Sequence, residues 1–84
     1  MDFEIKFVAN ENRSIALIKN KIIGECDFDV DGDTWLITHT FVDEKYGGRG
    51  IAKKLVLAIV DEAEKKNKKI IPLCSYAKKV LGKE

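Results

Sequence analysis

The chain has 84 residues and a mass of 9.5 kDa, with 45% hydrophobic and 35% charged residues and a formal charge of +1. A folded chain of this mass exposes roughly 5,000 Å² against roughly 14,000 Å² unfolded, so it supports one modest core. Those figures exclude a two-lobed enzyme, a full dinucleotide-binding domain and a TIM barrel, and they exclude a disordered chain. With fifteen basic and fourteen acidic residues there is little basic excess to neutralise phosphates, so no nucleic-acid partner is expected. No apolar run reaches the roughly 18–20 residues that span a bilayer, and MDFEIKF does not read as a secretory signal. Cys26 and Cys74 are too few for a disulfide framework; free thiols in a cytoplasmic protein are the expectation.

In chain order, Ile5–Val8 is a short extended segment and Ala9–Asn12 a polar turn. Arg13–Ile18 is the next strand, and Asn20-Lys21 is expected to turn it into Ile22–Val30. From Glu25 that strand alternates, with Cys26, Phe28 and Val30 on one face and Glu25, Asp27 and Asp29 on the other, half solvated. Asp31-Gly32-Asp33 has turn chemistry. Thr34–Val42 is β-branched and aromatic, and alternation puts Trp35, Ile37, His39 and Phe41 on one face. Both its faces can be buried, which predicts a central strand.

After a loop ending in Gly47-Gly48 the period becomes helical from Gly50. Ala52, Leu55, Val56, Ile59 and Ala63 form one apolar stripe, and Asn67 is the expected stop. Ile70–Leu73 reads as a short buried strand, and Tyr76–Leu81 has room for one or two helical turns. The predicted class is α+β (mixed α/β) in one domain: a four-stranded antiparallel meander, a long helix, a parallel fifth strand and a short C-terminal helix. A strand–helix–strand unit makes its two strands parallel through a right-handed crossover.

The segment FVDEKYGGRGIAKKL, Phe41 to Leu55, carries the most chemistry. A strand ends, glycines follow, and a helix begins at once, which aims unpaired N–H groups and a positive helix end at one point. A phosphate suits that point; a tight turn and nothing more is the plainer alternative. The nucleotide loop G-x-x-x-x-G-K-S/T is absent, and the dinucleotide fingerprint would need Gly where Lys53 stands.

Gly50-Ile51-Ala52, after a histidine-bearing strand and before an amphipathic helix, resembles motif A (R/Q-x-x-G-x-G/A) of the Gcn5-related N-acetyltransferases. His39-Thr40, the segment IIPLCSY (Ile70 to Tyr76) and the small size resemble the minimal, stand-alone YjdJ-type members of that family. The resemblance implies an acetyl-CoA-dependent N-acetyltransferase that moves an acetyl group to an amine. Phe41, Val42, Gly47, Gly48, Arg49, Gly50, Ile51, Ala52, Lys53 and Ser75 are then expected at the acetyl-CoA site. The motif's R/Q position falls on Gly47, so one polar side chain is missing. Larger members carry two helices between their first two strands, which Ala9–Asn12 cannot hold, so an open acceptor side or a large acceptor is expected. Pro72 cannot donate to a ladder, which fits a place where two strands part to admit the pantetheine arm.

His39 and Cys74 come from strands expected side by side. A thiol beside an imidazole can attack a thioester as thiolate, with His39 as base; alternatively His39 deprotonates the amine for direct transfer. Tyr76 matches the tyrosine that protonates the leaving thiolate in many family members. The plainer readings are a hydrogen-bonded core histidine and inert packing thiols, and Cys26 in particular reads as core. No metal is expected, because two Cys and one His fall short of a zinc ligand set. Lys53 and Lys54 could screen phosphates or line a solvated face. Lys65–Lys69 reads as a solvated helix end, and Asp27, Asp29, Asp31 and Asp33 as a solvated sheet face that could also attract a cationic acceptor. A non-catalytic acyl-CoA-binding or interaction module and a small nucleic-acid-binding domain are the rival functions. Neither the acceptor nor the oligomeric state is legible.

Overall fold

Alternating segments separated by turn residues produce the expected order of elements in a computed structural model that describes residues 2–82. Strands β1 (Glu4–Val8), β2 (Arg13–Ile18), β3 (Lys21–Asp31) and β4 (Thr34–Val42) form an antiparallel meander. Helix α1 (Ile51–Lys65) then leads to β5 (Lys69–Pro72), which pairs parallel with β4, and α2 (Ser75–Val80) follows. The sheet order is β1-β2-β3-β4-β5. Between β1 and β2 the chain makes only a 3-10 turn, Ala9–Glu11, closed by Asn12 in the left-handed region. The β2–β3 hairpin turns one residue earlier than expected. Lys19 and Asn20 both have positive φ (50° and 67°), the hand that matches strand twist.

One sheet face carries the core. Ile51, Leu55, Val56, Ile59 and Ala63 of α1 pack onto Ala16, Ile18, Ile23, Cys26, Phe28, Trp35 and Ile37. Each large aliphatic side chain buried there contributes about 1.5–3 kcal/mol. Ile51 leads the stripe in place of Ala52, which is half-buried. Two contacts seat the helix closely. The buried Ser14 hydroxyl donates to the Leu55 carbonyl at 2.8 Å, and a Cβ on Gly24 would lie 3.3 Å from Leu55 Cδ1. Phe7, Phe28 and Trp35 stack with centroids 4.4 to 5.9 Å apart, and Lys66 Nζ sits 5.2 Å over Phe7 and 5.8 Å over Trp35. One lysine of the helix end therefore covers the aromatic core and is not simply solvated.

Three expectations about the strands are corrected. β5 is not buried: Lys69 and Ile71 are exposed, because among the described residues no helix covers the second sheet face. The simple alternation of β4 also fails. Asp27 pairs with His39 and the next pair is Phe28 with Ile37, so Thr38 is an extra residue on β4. This bulge shifts the alternation by one. Trp35 and Ile37 face α1, and beyond the bulge Thr40 and Val42 continue that face. His39 and Phe41 turn to the open face and are exposed. Val30, near the Gly32 turn, is also half exposed and not part of the core.

Candidate active site

β4 and β5 part in the middle of β4. Their pairing runs from Thr34–Lys69 to Ile37–Pro72. The amides of Leu73 and Cys74 then both donate to the Ile37 carbonyl, at 2.8 and 3.1 Å, and the chain turns into α2. Pro72, with no N–H to donate, is the last residue of β5. From Thr38 to Val42 the β5 side of β4 has no strand partner among the described residues.

At the far end of this unpaired edge lies the glycine loop. Gly48 and Gly50 both have φ of 76°, a conformation that costs other residues about 1–2 kcal/mol. Gly50 caps α1, whose first i to i+4 bond is from the Lys54 amide to the Gly50 carbonyl at 3.1 Å. Among the described residues, the amides from Gly48 to Lys53 donate to no protein acceptor. They converge at the positive end of a 15-residue helix. A cavity of about 230 Å³ opens there, lined by Val42, Tyr46, Gly47, Gly48, Gly50, Ile51, Ala52 and Tyr76. Arg49 stacks over the Tyr46 ring at 5.5 Å, which keeps its charge beside the loop. Lys53 is exposed, whereas the Lys54 ammonium lies 5.2 Å over Phe3 and is turned away toward β1.

Cys74 sits where the strands part. It caps α2, and its sulfur accepts from the Ala77 amide at 3.3 Å. The β4 residue it meets is Thr40, whose Oγ1 lies 3.4 Å from Cys74 Sγ and 3.3 Å from Cys26 Sγ. Burial pushes the Cys26 thiol up to about 11, with the neighbouring Cys74 adding to the shift and the Thr40 hydrogen bond opposing it. Cys26 is fully buried, in keeping with its expected packing role.

His39 is on the other face. Its ring nitrogen and the carboxylates of Glu25 and Asp27 have atoms all within 4.8 Å of one another. Burial, with Glu25 alongside, raises Asp27 to about 6, while His39 and Arg13 pull it down. Arg13 bridges Glu25 at 3.5 Å and Glu11 at 2.8 Å.

The structure thus brings Val42, Gly47, Gly48, Gly50, Ile51, Ala52 and Tyr76 together at one cavity, with Arg49 and Lys53 at its margin. Ser75 opens α2 on the exposed side beside Cys74. It does not bring together His39 and Cys74. The bulge at Thr38 shifts the alternation by one, so Thr40 reaches the thiol and His39 does not. Phe41 likewise lies on the open face, 53% exposed, outside the cavity lining. An exposed His39 is not a core histidine. Sequence reasoning missed Tyr46 and Thr40. Tyr46 immediately precedes the glycines, but nothing in its spacing signals a cavity wall, and Thr40 becomes visible only through the bulge.

The partnerless loop amides lie at one end of the unpaired edge of β4, at the cavity that Tyr76 lines, and the Cys74 thiol lies at the other end, where β4 and β5 part. The chain matches, over residues 6–84, the model of a family described as GCN5-related N-acetyl-transferase. It is 39% identical to a GCN5-like protein from Staphylococcus aureus solved by NMR, over 95% of this chain and 78% of that one, with a TM-score of 0.72. A predicted acetyltransferase from Clostridium acetobutylicum solved with acetyl-CoA is 25% identical, over 89% of this chain and 58% of that one, with a TM-score of 0.64. A candidate streptothricin acetyltransferase from Bacillus anthracis, in complex with acetyl coenzyme A, is 28% identical over 80% of this chain and 44% of that one, also with a TM-score of 0.64. The chain therefore spans about half the length of these two acetyl-CoA complexes. No curated protein matches it. Site geometry and a family match over nearly the whole chain agree that it belongs to the GCN5-related N-acetyltransferases, enzymes that use acetyl-CoA as acetyl donor.

Proposed function

We propose that this chain binds acetyl-CoA in the gap between β4 and β5 and transfers its acetyl group to an amine. The observation that carries the reading is the run of partnerless amides from Gly48 to Lys53 at the start of α1, opening on the cavity that Val42 and Tyr76 also line. Those amides, with Gly47 and the charges of Arg49 and Lys53, suit the pyrophosphate. The unpaired edge from Thr38 to Val42 offers backbone groups to the amides of the pantetheine arm, as a missing strand would. Ser75 stands on the other side of the gap. Phe41 contributes to this edge by its backbone, since its side chain faces away.

Cys74 is our choice for the acetyl-accepting nucleophile. Its sulfur attacks the acetyl carbonyl carbon, the bond from that carbon to the CoA sulfur breaks, and the Tyr76 phenol gives the departing sulfur its proton. An amine then attacks the Cys74 thioester, passes its proton through water in the gap to His39, and releases the Cys74 thiolate; the Tyr76 phenolate regains a proton from solvent. In this scheme His39 serves the amine and not the thiol, because it lies with Asp27 and Glu25 on the open sheet face. That carboxylate pair suits a cationic acceptor approaching from that side. Direct transfer, with His39 taking the amine proton and no acetyl-Cys74, is the second reading, favoured by the separation of His39 from Cys74. The free thiols fit a reducing, cytoplasmic setting. Among the described residues, no helix is long and apolar enough to cross a membrane.

Calorimetry with acetyl-CoA tests binding, and silence at millimolar ligand would overturn the whole reading. Intact-mass measurement after incubation with acetyl-CoA tests the covalent route: an acetyl adduct lost in Cys74→Ala supports it, and none in the parent chain leaves direct transfer. Turnover with an amine panel, abolished in His39→Ala, supports His39 as base; binding without any turnover would instead make the chain a non-catalytic acyl-CoA module.

A further inference from the structure

Thr40 stands between the only two thiols of the chain, and its hydroxyl is close to both: 3.3 Å from Cys26 Sγ and 3.4 Å from Cys74 Sγ. A hydroxyl has one proton to give and can accept others, so the direction of the chain matters. Cys26 is fully buried and stays a thiol at neutral pH, so it has a proton to donate. Cys74 already accepts from the Ala77 amide at 3.3 Å. When Cys74 is ionised, only one arrangement satisfies every atom. Cys26 S–H donates to Thr40, Thr40 O–H donates to Cys74, and Ala77 N–H donates to Cys74. Two donors then converge on one sulfur, and a hydrogen bond to an ionised acceptor is about twice as strong as a neutral one.

We infer that Thr40 is a positioning residue for Cys74: its hydroxyl, supplied from behind by Cys26, orients the Cys74 sulfur at the mouth of the gap and donates to the thiolate through which any thiol reacts. This rests on the reading of Cys74 as nucleophile. The relay also gives a chemical role to Cys26, which would otherwise be a packing thiol. Of the titratable groups, Cys26 on β3 faces the hydroxyl and Tyr76 follows Cys74 on α2, whereas Glu25, Asp27 and His39 lie on the opposite sheet face. The bulge at Thr38 is what brings Thr40 to the thiols.

The test is the rate of alkylation of Cys74 by iodoacetamide in the full chain, followed by peptide mass from mildly acidic to alkaline pH, without acetyl-CoA. Thr40→Val, of nearly the same shape, should slow alkylation near neutral pH by about tenfold and move the pH profile upward, the loss expected for one hydrogen bond to a charged group. Thr40→Ser should restore the parent rate within about twofold, since it keeps the hydroxyl. Cys26→Ala should give a smaller loss of about two- to threefold, because it removes only the rear donor. If circular dichroism finds Thr40→Val unfolded, Thr40→Ala takes its place with the same expectation. Parent-like alkylation in the folded Val or Ala variant, or failure of Thr40→Ser to restore the rate, would overturn the inference. Because acetyl-CoA is not used, the outcomes separate. Slow alkylation in Thr40→Val with no acetyl adduct on the parent chain would retain the relay and remove the covalent route. Normal alkylation with a clear adduct would do the reverse.

Discussion

The two halves of β4 follow different rules within one strand. From Thr34 to Ile37 it is paired on both sides, and its inward residues Trp35 and Ile37 are buried under α1. From Thr38 to Val42 it keeps β3 but loses β5, and it carries His39 and Thr40, to which we assign roles, with Phe41 exposed and Val42 at the cavity. The boundary is the bulge at Thr38, which coincides with the point where Leu73 and Cys74 both donate to Ile37. In the proposed function the unpaired half of the strand receives the ligand, while the other half anchors it.

If that division holds, substitutions in the anchored half should cost stability and those in the open half should cost ligand. Ile37→Ala, at a fully buried core position, should lower unfolding free energy by about 2–5 kcal/mol in urea titrations. A loss below 1 kcal/mol would show the anchored half to be looser than its burial indicates. Gly24→Ala sits opposite Val42 at the far end of the open half, where the new methyl would crowd Phe41 oxygen at 3.0 Å and Val42 Cγ2 at 3.2 Å. It should cost about 1–3 kcal/mol by overpacking and also weaken acetyl-CoA binding, since the crowded atoms belong to the open half. Gly50→Val, forced into positive φ with nothing nearby to clash, should cost about 1–2 kcal/mol in stability. Its larger signature should be in calorimetry with acetyl-CoA, where loop distortion should weaken binding by at least about tenfold. Unchanged affinity would move the phosphate site elsewhere.

The smallest expected effect is on pH dependence. Asp27 is raised to about 6 from 3.8, so the folded chain holds its proton more tightly than the unfolded chain. Stability should therefore be greatest below about pH 4 with respect to this group and fall as pH rises toward about 6, with His39 and Arg13 moderating the change. Asp27→Asn should flatten that part of a urea-midpoint profile. A profile that rises through the same window in the parent, and is unchanged in the variant, would show that the Glu25–Asp27 pair does not interact as its positions indicate.

Much of this molecule was legible in the sequence, because its elements announce themselves locally. The apolar spacing from Leu55 to Ala63 implies one buried helix face, and Asn67 does adopt the left-handed conformation (φ 57°) that ends it. The glycines between Phe41 and Leu55 mark the loop and helix start correctly, since backbone conformation there depends on missing side chains. His39 was harder. Strict alternation from Trp35 puts it on the core face and beside Cys74, and one inserted residue moves it to the other face. Nothing in TWLITHTFV distinguishes a bulged strand from a regular one, because Thr38 suits both.

The sequence by itself determined the class, the order of elements, the glycine-capped helix start and the family resemblance, all properties written in residue type and near spacing. Only the tertiary structure decided which side chains share a face beyond Ile37, and so replaced a His39–Cys74 pair with Thr40 between two thiols. Register belongs to two strands at once: a bulge in β4 exists only relative to β3, and the gap beside it only relative to β5.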